Sequence, residues 1–239
     1  MTLDLHASIT NAFKYLDAQG VEIPLDLSLK ALSLGVFKAA SDLAAINATY
    51  HDAITQSLTQ YFEGGTLTGL RNQFRKASNQ AFQDSFMLGW QAGGGTLPLD
   101  DAALSWLGNR IQEEWTHIDG LFQQAKELRK EKDFDYFSWI NDRADGYTGT
   151  LVSVYNQGRL RAKPNIMLTF GGADGDQNHI CQSINGTCVK LMGKRHKASW
   201  WLAHDLVPYP GNPNYDCGAW RCRHKLSTDD GNPYTLPQG

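Results

Sequence analysis

The sequence predicts a mostly helical α+β protein, an elongated helical N-terminal region followed by a small irregular Cys/His-stapled module with short strands. Three observations carry this. Apolar residues recur at helical spacing from Ile9 to Tyr155, interrupted by Gly and Pro. The texture changes at Pro164, where a short apolar run gives way to segments rich in Gly, Asn and Pro. All four cysteines, Cys181, Cys188, Cys217 and Cys222, lie beyond that point. The expected division is a helical domain over 1–163 with four to five helices, a Cys-rich module over 164–226, and a weakly ordered tail over 227–239.

Each element has its own signal. Residues 8–19 place Ile9, Phe13 and Leu16 on one face, with Ser8 as N-cap and Gly20 as stop. Leu32, Val36, Ala39, Leu43, Ile46, Tyr50 and Ala53 follow a heptad seam that Ile54, Leu58 and Phe62 extend to Gly64-Gly65. A second long helix carries Leu67, Leu70, Phe74, Ala77, Ala81, Phe82 and Phe86 and stops at Gly93-Gly94-Gly95. Pro98 and Asp100 open a third, with Leu104, Leu107, Ile111, Trp115, Ile118, Phe122, Ala125 and Leu128 on its face. The charged run 126–135 reads as a solvated turn. A fourth helix presents Phe137, Ile140, Ala144, Tyr147, Leu151 and Tyr155 and ends near Pro164. Antiparallel packing is the simplest way to bury these stripes. Ile166–Phe170 reads as a buried strand, Asn185-Gly186 as a hairpin turn, and 197–206 as a short helix.

A chain of 239 residues, 41% hydrophobic, is long enough for one sizeable core or two modest ones. No run of 18 apolar residues suggests a membrane span. The start, Met1–His6, lacks the basic and apolar regions of a secretory signal, so a reducing cytoplasm is the expected setting. Net charge is −3 but unevenly spread. Residues 1–157 hold 12 Lys and Arg against 19 Asp and Glu, whereas 158–226 hold 10 against 4. A basic module on an acidic body suits a polyanion or an acidic partner surface; equally, the two halves can complement each other.

The cysteines form two pairs, His179-x-Cys181-x6-Cys188 and Cys217-x4-Cys222-x-His224. Thiolate and imidazole are zinc's preferred ligands, and two pairs separated by a loop can supply a tetrahedron that staples a segment poor in core. Cys181, Cys188, Cys217 and Cys222 are the candidate ligands of a structural zinc, with His179, His204 and His224 as substitutes. The gaps of six and four residues are wider than usual for zinc pairs. Late disulfides and buried thiols therefore stay open as alternatives. Lys190, Lys194, Arg195, Lys197, Arg221, Arg223 and Lys225 are the candidate contacts to a polyanion or partner. Trp200, Trp201 and Trp220 among them either stack on bases or pack the module.

A metal-dependent nuclease or a nucleic-acid-binding zinc module is the alternative, since His196, His204-Asp205, Asn212, Asn214 and His224 are the residue types that bind a divalent ion. Against a nuclease, no His-Glu-x-x-His is present and no acidic pair sits a helical step from these histidines. Glutamate is absent after Glu131, which excludes a glutamate-based centre, including that of an ADP-ribosyl transferase, from the C-terminal module. Gly171–Gly175 lacks the Gly-Lys-Ser/Thr close of a phosphate-binding loop. The remaining small motifs, Asn185-Gly186-Thr187 as a glycosylation acceptor and Asp174-x-Asp176 as a calcium loop, are too incomplete to carry function.

One set of residues resembles a known family. Tyr155-Asn156-Gln157-Gly158-Arg159 at a helix end is followed by a short strand and then by Cys188-Val189-Lys190-Leu191-Met192-Gly193. Beyond these come Ala198-Ser199-Trp200-Trp201 and Asp216-Cys217-Gly218-Ala219-Trp220-Arg221-Cys222. The series resembles the C-terminal part of phage head morphogenesis proteins of the Mu F-like minor head protein family, over roughly residues 150–226. Two departures stand out: Cys-x6-Cys replaces the family's Cys-x-x-Cys, and Arg143-Ala144-Asp145 stands where Arg-Thr-Glu is common. The resemblance implies a structural minor head protein of a tailed bacteriophage, not an enzyme. It would sit in several copies on the portal or major capsid protein, in the head interior or portal region, after assembly in the host cytoplasm. It would assist head assembly or DNA packaging and delivery, with packaged DNA as a further contact and no membrane partner.

Overall fold

Helix ends in this chain are set by local chemistry that the structure shows directly. In the computed structural model, residues 39–172, 186–216, 218–219 and 223–236 are described. Four long helices come first: α1 Ala39–Phe62, α2 Leu67–Ala92, α3 Asp101–Leu128 and α4 Tyr136–Ala162. Gly64, at φ 118°, turns the chain out of α1, and the Gly65 N–H donates to Gln60 O at 2.8 Å. Asp100 caps α3 by accepting from the Ala103 N–H at 2.7 Å. Asp135 does the same for α4, accepting from the Ser138 N–H at 3.1 Å and its hydroxyl at 2.7 Å. The smaller elements are β1 Met167–Gly171, α5 Thr187–Leu191, β2 Arg195–Lys197, α6 Ala198–Ala203 and β3 Lys225–Ser227. The fold is α+β and mostly α.

The contacts divide the chain into two units. One lies within Met1–Asp84 and Thr96–Thr148, the other within Ser85–Gly95 and Gly149–Gly239. Helices α2 and α4 each contribute to both, so this division does not follow the expected boundary at 163/164.

The first unit is helical. Its core joins Tyr50, Ile54 and Leu58 of α1, Phe74 and Phe82 of α2, Ile111, Ile118 and Phe122 of α3, and Ile140 and Ala144 of α4. Phe74 meets Tyr50, Phe122 and Tyr147 edge-on at 6.0, 6.0 and 5.4 Å. The seam expected on α1 is only partly the buried face. Leu43 and Tyr50 are buried, but Ile46 and Ala53 line an open groove between α1 and α2, and Tyr61 is buried instead. A straight helix turns every 3.6 residues, so a 3.5-residue repeat drifts off the core. Phe137, expected inside, is 57% exposed because it lies in the first turn of α4, just after the Asp135 cap. The helix expected over 8–19, together with Leu32 and Val36 of the seam, lies outside the described residues.

The second unit is built on a close helix crossing and a small sheet. Gly89 of α2 and Gly93 just past its end meet Tyr155 O and Arg159 O of α4, while Gly158 of α4 meets Phe86 O of α2. The sheet is three-stranded and antiparallel, in the order β2-β1-β3. Leu168 pairs with His196 on one side of β1, and Phe170 with Leu226 on the other. Leu168 and Phe170 point inward onto Trp201, Cys188, Val207, Tyr215, Ala219 and Leu226. The strand expected at Ile166–Phe170 is β1, and the helix expected over 197–206 is the shorter α6.

Two expectations are corrected. Gly186, expected in a hairpin turn, is the N-cap residue of α5, and its carbonyl accepts from the Lys190 N–H at 3.1 Å; Asn185 lies outside the described residues. The segment after Leu226, expected to be weakly ordered, is tied down through Leu236. Tyr234 and Thr235 are buried, and the Thr235 hydroxyl accepts from the Leu226 N–H at 2.8 Å. Asn156 grips both backbone groups of Leu236, at 2.9 and 2.8 Å. Asn156→Ala leaves those groups without that partner, a loss of about 1–2 kcal/mol. Limited proteolysis is expected to trim the C-terminal segment from this variant well before wild type; equal digestion of the two would contradict the tether.

Candidate docking module

Of the expected zinc ligands, Cys188 and His224 are described as buried, each 1% exposed. Cys188 sits on α5 within the core of the second unit. His224 precedes β3 and stacks on Phe170, 5.2 Å between ring centroids and 12° between planes. Both therefore flank one apolar centre around Phe170. Cys181, Cys217, Cys222 and His179 lie outside the described residues. A link joins the neighbourhoods of the two cysteine pairs: the Thr187 N–H, one residue before Cys188, donates to Asp216 Oδ2, one residue before Cys217, at 2.6 Å. That backbone bond, aided by the Thr187 hydroxyl and the nearby Lys190 ammonium, holds the Asp216 carboxyl below the usual carboxylate range. A thiol and an imidazole in one dry core are the donor types zinc takes. Among the described residues alone, no three His, Cys, Asp or Glu side chains converge as a metal site.

His204 differs from His224. It is exposed at the end of α6, with Nδ1 2.9 Å from Trp200 O and its ring 4.1 Å from the Trp200 ring. His196 stacks on the same indole at 3.6 Å. Of the two described substitute ligands, His224 alone is buried in the same core as Cys188.

The basic candidates separate by environment. Arg195 and Lys197 lie on edge strand β2 and Lys225 on edge strand β3. Lys190 and Lys194 are exposed on and just after α5, Arg223 is exposed, and Arg221 lies outside the described residues. Arg195 forms a bidentate pair with Asp229, at 2.8 and 2.5 Å. That pair holds the Asp229 carboxyl low and engages the guanidinium, so Arg195 is not a spare cation. Base stacking on the tryptophans finds little surface. Trp201 is 0% exposed, with its indole N–H donating to Leu168 O at 3.2 Å, and Trp200 already carries two imidazoles. Trp220 lies outside the described residues.

The run Tyr155–Arg159 proves to be the anchor of this unit. Tyr155 is buried with its carbonyl against Gly89, Asn156 clamps Leu236, Gln157 is buried, and Gly158 lies on Phe86 O. The Arg159 guanidinium covers the Tyr234 ring at 4.4 Å, while its carbonyl accepts from the Tyr234 hydroxyl at 3.1 Å. Of the glycines that receive this run, Gly93 reads from the sequence only as a helix stop, and Gly89 carries no reading at all. Their spacing of four, across the last turn of α2 and the residue after it, is the available signal. Comparison with protein-family models, with curated proteins and with solved structures finds no match. Among the described residues, no helix is long and apolar enough to cross a membrane.

Proposed function

We propose that this chain is a structural minor head or morphogenesis protein of a tailed bacteriophage, docking on the portal or the inner capsid and assisting head assembly or DNA packaging and delivery. The observation that carries this reading is the use made of Tyr155–Arg159, the run on which the family resemblance begins. Every residue of it serves packing or tethering, through helix contact, burial, the Leu236 clamp or the Tyr234 contact. Such internal anchoring supports the reading of this unit as a docking module. The exposed Lys190, Lys194, Lys197 and Arg223 supply its cationic surface toward portal, capsid or packaged DNA.

Cys181, Cys188, Cys217 and Cys222 would hold a structural zinc, with His224 the favoured substitute because it shares a core with Cys188. The metal supplies cross-linking energy to a small core and takes no part in a reaction. Co-expression with the cognate portal and capsid proteins is expected to recover the chain on the portal ring or shell. Metal analysis is expected to find about one zinc per chain. Four titratable thiols, no zinc and an unchanged fold would remove the staple; failure to associate with either assembly would remove the docking role.

A further inference from the structure

Five aromatic rings gather at one end of the helical unit, and nothing in the proposed docking role uses them. Phe62 closes α1, Phe134 lies in the turn after α3, and Tyr136, Phe137 and Trp139 open α4. Three of them form a ladder. Phe62 stacks on Tyr136 at 5.0 Å and 11°, and Tyr136 lies against Phe137 at 4.3 Å and 31°. Trp139 meets Phe62 edge-on at 5.8 Å and Phe134 at 6.3 Å. Four of the rings are half-buried, but Phe137, the last rung, is 57% exposed. Apolar surface joined in this way marks an interaction site, unlike an isolated exposed ring. The patch is set before any partner arrives, because Asp135 caps α4 through Ser138, the residue after Phe137. The Arg143 guanidinium covers the Trp139 ring at 5.6 Å. Preset aromatic rings edged by arginine are the composition of an interface centre.

The charges around the patch select the partner. Four basic and four acidic residues lie between Arg129 and Arg143. Arg129 and Arg143 are already laid on the Tyr61 and Trp139 rings, and Lys130 pairs with Glu127. Among the described residues, Glu131, Lys132 and Asp133 form no ion pair, and all three are exposed. A balanced surface of this kind has no excess of cations to draw a nucleic acid. It is complementary to itself. About a two-fold axis, acids of one copy meet Lys132 of another while Phe137 stacks on Phe137.

We propose that this aromatic end of the helical unit is a contact between two copies of the chain, centred on Phe137. It lies outside the unit that carries the proposed docking role, so either reading can fail without the other. Five rings offer on the order of a few hundred Å² per copy, against about 800 Å² per partner in a stable complex. The contact is therefore weak alone and gains from copies held together on a shared assembly. Sedimentation velocity on the full chain is expected to show wild type moving from monomer toward dimer between about 10 μM and about 1 mM. Phe137→Glu is expected to weaken that association at least about tenfold. Glutamate suits the first turn of a helix, so α4 keeps its start in this variant. Lys132→Glu and Glu131→Lys each bring like charges together and are expected to associate less than wild type alone, yet more strongly when mixed. Three results would overturn the contact: wild type monomeric up to about 1 mM, Phe137→Glu associating as wild type does, or no gain on mixing the charge variants. A shift of the Trp139 indole resonance on adding a thymidine oligonucleotide at fixed protein concentration would also overturn it, by assigning the patch to nucleic acid.

Discussion

Gly158→Ala is expected to destabilise the C-terminal unit by about 3 kcal/mol, at the upper end of what overpacking costs. A methyl group there would land on the Phe86 carbonyl oxygen and within 3.0 Å of the Trp90 nitrogen, both backbone atoms of the facing helix. Backbone of a packed helix cannot swing aside as a side-chain tip can, so the two helices must separate. Separation would also strain the neighbouring approaches, Gly89 on Tyr155 O and Gly93 on Arg159 O. It would weaken the Asn156 and Arg159 contacts to the C-terminal segment as well. Gly146, in the same helix with nothing within 4 Å of an added Cβ, is the control. Gly146→Ala is expected to stabilise by up to about 1 kcal/mol, because alanine favours helix and glycine does not. Urea unfolding followed by circular dichroism measures both; shifts of the same sign would contradict a close crossing at Gly158.

Trp201→Ala is the other large effect, with an expected loss of about 3–5 kcal/mol. The indole is wholly buried, stacks near Phe170 at 6.0 Å, meets Trp200 edge-on at 5.1 Å and donates to Leu168 O. Its removal empties the centre of the module and takes one donor from the Leu168 carbonyl. Nucleic-acid retention at a temperature where the variant is still folded is expected to match wild type. If Trp201 were a stacking platform, the pattern would reverse, with binding lost and the unfolding midpoint unchanged.

What the sequence made legible were the features with a period. The stripes Leu104–Leu107–Ile111–Ile118–Phe122 and Leu70–Phe74–Phe82 are buried as expected, because amphipathic spacing is a direct record of which face meets a core. Asp100 as a cap and Gly64 as a stop were local signals, and local signals transfer well. Features set by distant partners were not legible. Gly93-Gly94-Gly95 reads as a stop, yet Gly93 also sits against α4, whose packing no local pattern announces. The polar segment 227–236 lacks a hydrophobic period, and its order comes from Asn156, a helix residue far along the chain from Leu236. In the candidate module, the clustering of Cys and His is legible in the sequence itself. The Thr187–Asp216 bond between the two cysteine neighbourhoods, and the separation of buried His224 from exposed His204, needed the fold.

We propose that the chain docks in a phage head through the module anchored by Tyr155–Arg159. Quantitative mass spectrometry of purified particles, assembled from the genome that encodes the chain, tests it most directly. The account predicts the chain in full heads at several copies per particle, retained with the portal or inner shell when the tails are removed. Its absence from purified heads and from their assembly precursors would contradict the account.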